Sequence, residues 1–383
     1  MKKNICFFLF KTFLPAACLV SAVLFVMHPV SCRATVEGLS FLEGDFTVPS
    51  IKSLEICSST NAVLEFSKEV ESVEAELISR ENSSVFFTDA LICENNKVNV
   101  SFNTETEIGA PYLLEGKVKD KNGNSLTFSV SFSGFNSNAA SLIISEIRDA
   151  YGITTSAGVK THKSEFVELV AVKGGNLSGI QVISACDGEA KKYVMPNVEV
   201  KKGDYITVHL RSPVKSDSCP TDDDGIISET STDLNLSFHV DSSPSRDLWS
   251  ENNKAVIGES DIVAVENSWN GKIQDAVLFA KSSQTEWNDK CSEFIEKMKG
   301  LNLWTDSNGE ENYGIENAFC SDLLTSSACG RSIARQNVNE ILALFQDDNL
   351  ENQNVTAVNS PSVWIVTSVV TPGEENSSKV FVK

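Results

Sequence analysis

The chain has 383 residues, 41% of them hydrophobic and 22% charged, with a formal net charge of −20. That length calls for two or three domains, and the apolar share is too high for a disordered chain. The acidity argues against nucleic acid as a partner, because such affinity comes mostly from Lys and Arg neutralising phosphates.

Residues 1–34 read as a secretory signal peptide. Lys2, Lys3 and Lys11 form a basic start, Phe13 to Met27 is almost continuously apolar, and small residues follow at Ser31, Cys32 and Ala34. The apolar run is short of the ~20 residues a bilayer span needs. Two processing modes are open. A small-x-small site ending at Ala34 releases a soluble protein that begins at Thr35. Alternatively, Pro29-Val30-Ser31-Cys32 is a lipobox lacking its usual leucine, and Cys32 becomes a lipidated first residue, the one membrane contact expected. Without these 34 residues, 52 acidic side chains face 28 basic ones, a charge of −24.

Export makes the cysteines disulfide candidates. Past the leader these are Cys57, Cys93, Cys186, Cys219, Cys291, Cys320 and Cys329. Pairing within domains predicts Cys57–Cys93 and Cys186–Cys219, with one pair and one leftover thiol among the last three. No C-x-x-C or paired-histidine spacing accompanies them, so no zinc site is expected.

From Ile51 the pattern is β. Ser53–Cys57, Ala62–Phe66, Val85–Phe87, Val98–Phe102, Tyr112–Val118 and Ser125–Phe132 are short alternating or apolar runs. Asn122-Gly123 between two of them predicts a type I′ hairpin. About seven short strands in roughly a hundred residues predict a sandwich. Glu65-Phe-Ser-Lys-Glu-Val70 and the Tyr112-x-x-x-Gly116-x-Val118-x-Asp120-x-x-Gly123-Asn124 spacing resemble bacterial immunoglobulin-like domains. The domain is placed at residues 35–134.

A small polar linker at 135–140 leads to a second β region. Its expected strands are Leu142–Ile147, Glu165–Leu169, Gly179–Ile183, Tyr205–Leu210, Asp261–Val265, Ile273–Phe279 and Ser362–Val366, with a second Asn-Gly turn at Asn270-Gly271. Trp287, Cys291, Phe294, Ile295 and Met298 recur at helical spacing and predict an amphipathic helix stopped by Gly300. Phe319 to Leu324 reads as a further helical turn.

Three ordered blocks in this region resemble the lamin-tail domain. They are Ile144-Ser145-Glu146-Ile147 with Glu165–Leu169 and Asn176–Gly179; Lys201–Tyr205 with Asp261-Ile-Val; and Gly330–Arg335 with Trp364-x-Val366 and Thr371-Pro372-Gly373-x-x-Asn376. The resemblance implies an immunoglobulin-type sandwich at 141–377, with insertions near 211–245 and 281–329, and implies no catalytic residues. The predicted fold class is therefore all-β: two immunoglobulin-like sandwiches, the second a lamin-tail domain with a small helical insertion.

No nucleophile elbow, Walker loop, dinucleotide-binding glycine motif or helical histidine pair is present. Glu146, Glu165 and Glu168 read as framework residues rather than paired acids. His209 reads as a satisfied strand histidine. Asp217, Asp222, Asp223 and Asp224 form a weak Ca²⁺ candidate loop, read first as a solvated acidic loop. Arg331 and Arg335 read as salt-bridging to the protein's own acids, an anion site being the sharper alternative. No cofactor and no catalytic residue is expected. The functional reading is an exported, non-enzymatic cell-envelope protein, an adhesive, structural or interaction module for an envelope or extracellular protein or polysaccharide. The alternative is a secreted hydrolase or its accessory domain. The expected location is the periplasm, the outer membrane or the cell surface and medium.

Overall fold

The alternating segments after Pro49 become antiparallel strands in the computed structural model, which describes residues 45–149, 152–156, 159–163, 165–187, 191–210, 246–250, 256–324, 330–345 and 359–383. The expected signal peptide with Cys32, the acidic Asp217–Asp224 segment, Cys219 and Cys329 lie outside the described residues. The fold is all-β, with two short α-helices among the described residues. None of the described helices is long and apolar enough to cross a membrane.

By its contacts the chain divides into two units, Met1–Val48 with Asn122–Asn124, and Pro49–Lys121 with Ser125–Lys383. Within the first, the Asp45 carbonyl accepts from the side-chain amides of Asn122 at 3.4 Å and Asn124 at 2.8 Å. The second holds all the sheets.

Its first seven strands are β1 (Ile51–Ser58), β2 (Asn61–Phe66), β3 (Ser72–Ser79), β4 (Val85–Glu94), β5 (Lys97–Phe102), β6 (Pro111–Lys119) and β7 (Ser125–Ser133). They lie in the order β1-β2-β5-β4-β3-β6-β7. Six were legible from alternation; β3 is the seventh. β4 turns the corner, pairing with β3 over Val85–Phe87 and with β5 from Thr88 onward, and a register shift between Thr88 and Ala90 marks the bend. Leu64, Phe66, Leu77, Val98, Leu114 and Val118 point inward as the core.

Two sequence expectations fail here for geometric reasons. Cys57 and Cys93 are both free. β2 and β5 stand between their strands, a separation of about 14 Å at ~4.8 Å per strand, twice the ~7 Å limit for a disulfide. The Asn-Gly turns are also not of type I′. Gly123 and Gly271 take φ of +82° and +68°, but neither Asn122 nor Asn270 has positive φ. Five residues separate the paired strands in each hairpin, so a single left-handed glycine suffices.

The following strands are β8 (Ser141–Arg148), β9 (Gly152–Ser156), β10 (Val159–Lys163), β11 (Phe166–Lys173), β12 (Gly175–Asn176), β13 (Ile180–Ser184), β14 (Lys192–Val194), β15 (Glu199–Val200) and β16 (Tyr205–His209). Then come β17 (Arg246–Trp249), β18 (Asp261–Asn267), β19 (Ile273–Ala280), α1 (Asp289–Met298), β20 (Phe319–Cys320), β21 (Ser332–Arg335), α2 (Val338–Leu344) and β22 (Trp364–Thr367). A six-stranded sheet β17-β16-β11-β8-β21-β22 packs on a five-stranded sheet β14-β13-β18-β19-β20. β17 and β20 join as parallel edge strands. The predicted helical turn at Phe319–Leu324 is in fact β20 followed by a turn.

β8, β11, β18 and β19 are buried on both faces. Their runs Leu142-Ile-Ile and Ala276-Val-Leu-Phe279 are accordingly continuous rather than alternating. The inner face meets the opposite sheet. Over the outer face of β8 and β11, Val338 and Ile341 of α2 pack on Ile143, Val170 and Val172. α1 forms where the spacing predicts, starting at Asn288, whose side chain accepts from the Cys291 amide at 2.9 Å, and burying Cys291, Phe294 and Met298. It is pinned covalently, since Cys291 bonds Cys186, with Cα atoms 4.7 Å apart, and this replaces the predicted Cys186–Cys219 pair.

The segment between the sandwiches is anchored on the second one. Asn136 is buried and donates to the carbonyls of Asn176 at 2.8 Å and Ser178 at 2.9 Å, and Phe135 meets Trp269 edge to face.

Candidate functional site

The motif residues of the second sandwich converge on one buried polar network. β8 and β11 place Glu146 directly opposite Glu168, both at 0% exposure. Glu146 accepts from the Ser332 hydroxyl, from the Thr371 amide at 3.0 Å and from the Thr371 hydroxyl at 3.4 Å. Glu168 accepts from the Gly373 amide. Asn376 closes the network, its side-chain amide reaching the carbonyls of Ser145 at 3.0 Å and Arg335 at 2.9 Å. Burial pushes Glu146 up to about 7, against the opposing pull of Ser332, Thr371 and Arg148. Burial, and then the neighbouring charge of Glu146, push Glu168 well above the carboxylate range. Two acids without solvent contact, held by donors from distant segments, fasten the chain.

Arg335 is equally internal. Its guanidinium lies 2.8 Å from Asp275, whose carboxylate also accepts from the Ile144 amide at 2.7 Å and the Asn359 side chain at 3.1 Å. Arg331 instead donates to the Leu323 carbonyl at 2.9 Å and stacks 3.7 Å above the Phe381 ring. The two arginines therefore form no shared anion site. The salt bridge expected for Arg335 exists, though in the core rather than on the surface. Glu165 accepts from the amides of Val256 and Ile257 at 3.1 to 3.3 Å. His209 lies 2.8 Å from Asp247 and stacks on Trp249 at 3.6 Å, as a core histidine.

Cys186, Asp261 and Cys291 bring their ligand atoms within 4.8 Å of one another. The disulfide leaves no thiolate there. Asp261 already accepts from Ser184 at 2.6 Å and from the amides of Ile262, Gly258 and Cys186 at 2.8, 2.9 and 3.1 Å. The cluster is a covalent joint rather than a metal centre.

Beside that joint lies a cleft of about 390 Å³ between α1 and the outer face of β13, β14 and β18. This volume is in the range of small-ligand sites. On its floor Gln181 and Glu266, cross-strand partners, are joined by a 2.9 Å hydrogen bond and buried. Phe294, Ile183 and Ala185 supply an apolar wall. Lys192 of β14 and Lys290 and Lys297 of α1 form the rim, with Glu293 among them. Lys290 is paired with Glu293 at 3.0 Å, whereas among the described residues neither Lys192 nor Lys297 has an ion-pair partner. Sequence reasoning did not find this site. Its signal was present but divided: a helix with lysines at positions 290 and 297 on one face, and a lysine opening a strand about a hundred residues earlier.

Residues 140–366 match the family model described as "protein second domain". Over 181 residues the chain is 32% identical to an uncharacterized protein of Treponema pallidum (strain Nichols), covering 47% of this chain and 42% of that protein. The chain thus spans less than half the length of the curated relative it matches. Among solved structures it is similar to the N-terminal part of the bacterial S-layer protein SbsC, with 14% identity and a TM-score of 0.24 over 42% of this chain and 40% of that one. It is also similar to a DUF4876 family protein from Bacteroides thetaiotaomicron VPI-5482, with 12% identity and a TM-score of 0.27 over 76% and 87% of the two chains.

Proposed function

The chain belongs to the family described as "protein second domain", matched over residues 140–366, and from that premise we propose that it is an exported, non-enzymatic module of the cell envelope that works by binding. One observation carries this reading. The chemistry-bearing residues Glu146, Glu168, Asp275 and Arg335 are all consumed in the core, while a ligand-sized concavity lies open beneath α1. Residues 1–34 support export by their charged start, apolar run and small-residue end. We read the second sandwich as lamin-tail in type, a framework that presents surfaces rather than reacting groups. The compartment is the periplasm, the outer membrane or the cell exterior.

Fractionation of native cells with intact-mass measurement tests the proposal. The expected result is a protein in the envelope or medium that begins at Thr35, or at Cys32 with acyl chains. Recovery in the cytosol with residues 1–34 retained sinks the export reading. Turnover of an ester, phosphate or glycoside substrate, lost on a single carboxylate or serine substitution, sinks the non-enzymatic one.

A further inference from the structure

The cleft between α1 and β13–β14–β18 has a composition that selects among ligands. Its rim brings two ammonium groups that have no carboxylate partner among the described residues, Lys192 and Lys297, the latter 5.6 Å from the Phe294 ring centroid, to a protein whose net charge is −20. Lysines in so acidic a chain have carboxylates available nearly everywhere, and several do pair: Lys68 with Asp120, Lys281 with Glu259 and Lys299 with Glu296. The rim therefore favours an anion. A compact dianion such as phosphate meets opposition, because Glu266 and Glu293 also line the cleft. The carboxylates and the side-chain carbonyl oxygen of Gln181 are acceptors, which suits hydroxyl donors on a ligand. Phe294, Ile183 and Ala185 add an apolar wall, against which the C–H groups of a pyranose can pack.

A single negative charge, several hydroxyls and one apolar face describe an acidic sugar. We propose that this cleft is a binding site for a uronic-acid residue of an acidic polysaccharide, its carboxylate between Lys192 and Lys297 and its hydroxyls on Glu266 and Gln181. The assignment rests on the reading of the protein as a binding module and names its ligand class. The disulfide gives the site its stability, since Cys186 follows Ala185 on the wall and Cys291 sits in the first turn of the helix that forms the roof.

The test titrates the full-length mature protein with methyl β-D-glucuronide, methyl β-D-glucoside and inorganic phosphate, followed by calorimetry or ligand-observed NMR. Saturable binding of the glucuronide is expected, with the glucoside at least tenfold weaker. Lys192→Gln combined with Lys297→Gln should weaken glucuronide binding roughly tenfold or more, as loss of charge-assisted contacts implies. Both lysines are exposed, so the melting temperature should hold and a folding defect is separable. Equal binding of the two sugars, competition by phosphate at the same concentration, or an unchanged affinity in the double variant each overturns the assignment. Glucuronide failing to bind while the protein still fractionates with the envelope overturns the ligand and leaves the module intact.

Discussion

Replacing Glu168 by Gln should flatten the pH dependence of stability. Glu146 and Glu168 face each other across β8 and β11 without solvent contact, so the folded protein holds protons that the unfolded chain gives up. For Glu146 the folded value is raised from an ordinary 4.5 to about 7. Below about pH 4.5 both states are protonated and the stability contribution is fully present. Between about 4.5 and 7 the unfolded chain releases its proton and the folded chain does not, so stability falls as pH rises. One proton is worth ~1.4 kcal/mol per pH unit, which bounds the loss from Glu146 at about 3 kcal/mol. Glu168, also raised by burial and by the charge of Glu146, adds to the decline. A glutamine at 168 needs no proton and adds no charge beside Glu146. Urea unfolding of both proteins at pH 5, 6, 7 and 8 and fixed ionic strength, read by tryptophan fluorescence, gives the comparison. The difference between the curves cancels titrations common to both, including self-repulsion of the acidic surface. The variant should gain on the parent by about 1–3 kcal/mol from pH 5 to pH 8. Parallel curves, or a variant that loses ground as pH rises, would refute the account of the pair.

The Cys186–Cys291 bond closes a sequence separation of 105 residues, so Cys186→Ala with Cys291→Ala should lower unfolding free energy by about 2–4 kcal/mol, with a chain-entropy ceiling near 4.7 kcal/mol; denaturant midpoints read this, and non-reducing peptide mapping should find the two cysteines linked and Cys57 alkylated. Arg335→Met strands Asp275 in the core and should cost about 3–5 kcal/mol, part of which Asp275→Leu in the same chain should restore, measured by a double-mutant cycle. Gly116→Ala places a methyl 2.2 Å from the Glu74 carbonyl oxygen and 2.7 Å from the Phe128 ring; a loss of about 1–3 kcal/mol is expected, seen as a lower melting temperature.

Period-two alternation made the first sandwich legible wherever one face is wet: Ala62, Leu64 and Phe66 of β2 are buried while their neighbours are not. β3 was harder to read because Glu74 and Glu76 alternate with the modest Ala75, which dilutes the apolar signal. In the second sandwich strand positions were readable from continuous apolar runs, and the helix over Asp289–Met298 from its three-four spacing. Long-range pairings were not. Whether Cys186 joins Cys219 or Cys291 depends on α1 folding back over the β13 end, which no local pattern encodes. The ordered blocks pointed to the right residues for the buried network, but only the β8–β11 register shows that Glu146 and Glu168 are neighbours. The cleft was hidden for the same reason, since its lysines come from elements about a hundred residues apart.

The fastening of β8 and β11 by residues 371–376 sets an order of events. Glu146 waits for Thr371 across 225 residues, Glu168 for Gly373 across 205, and Ser145 for Asn376 across 231. Contacts at such separation form late, because the loop-closure entropy must be met before they add anything. A chain emerging from a ribosome therefore carries two strands whose acids lack their final donors until residue 376 has emerged. Through most of its synthesis the second sandwich stays open, and it closes only when its last polar partners arrive.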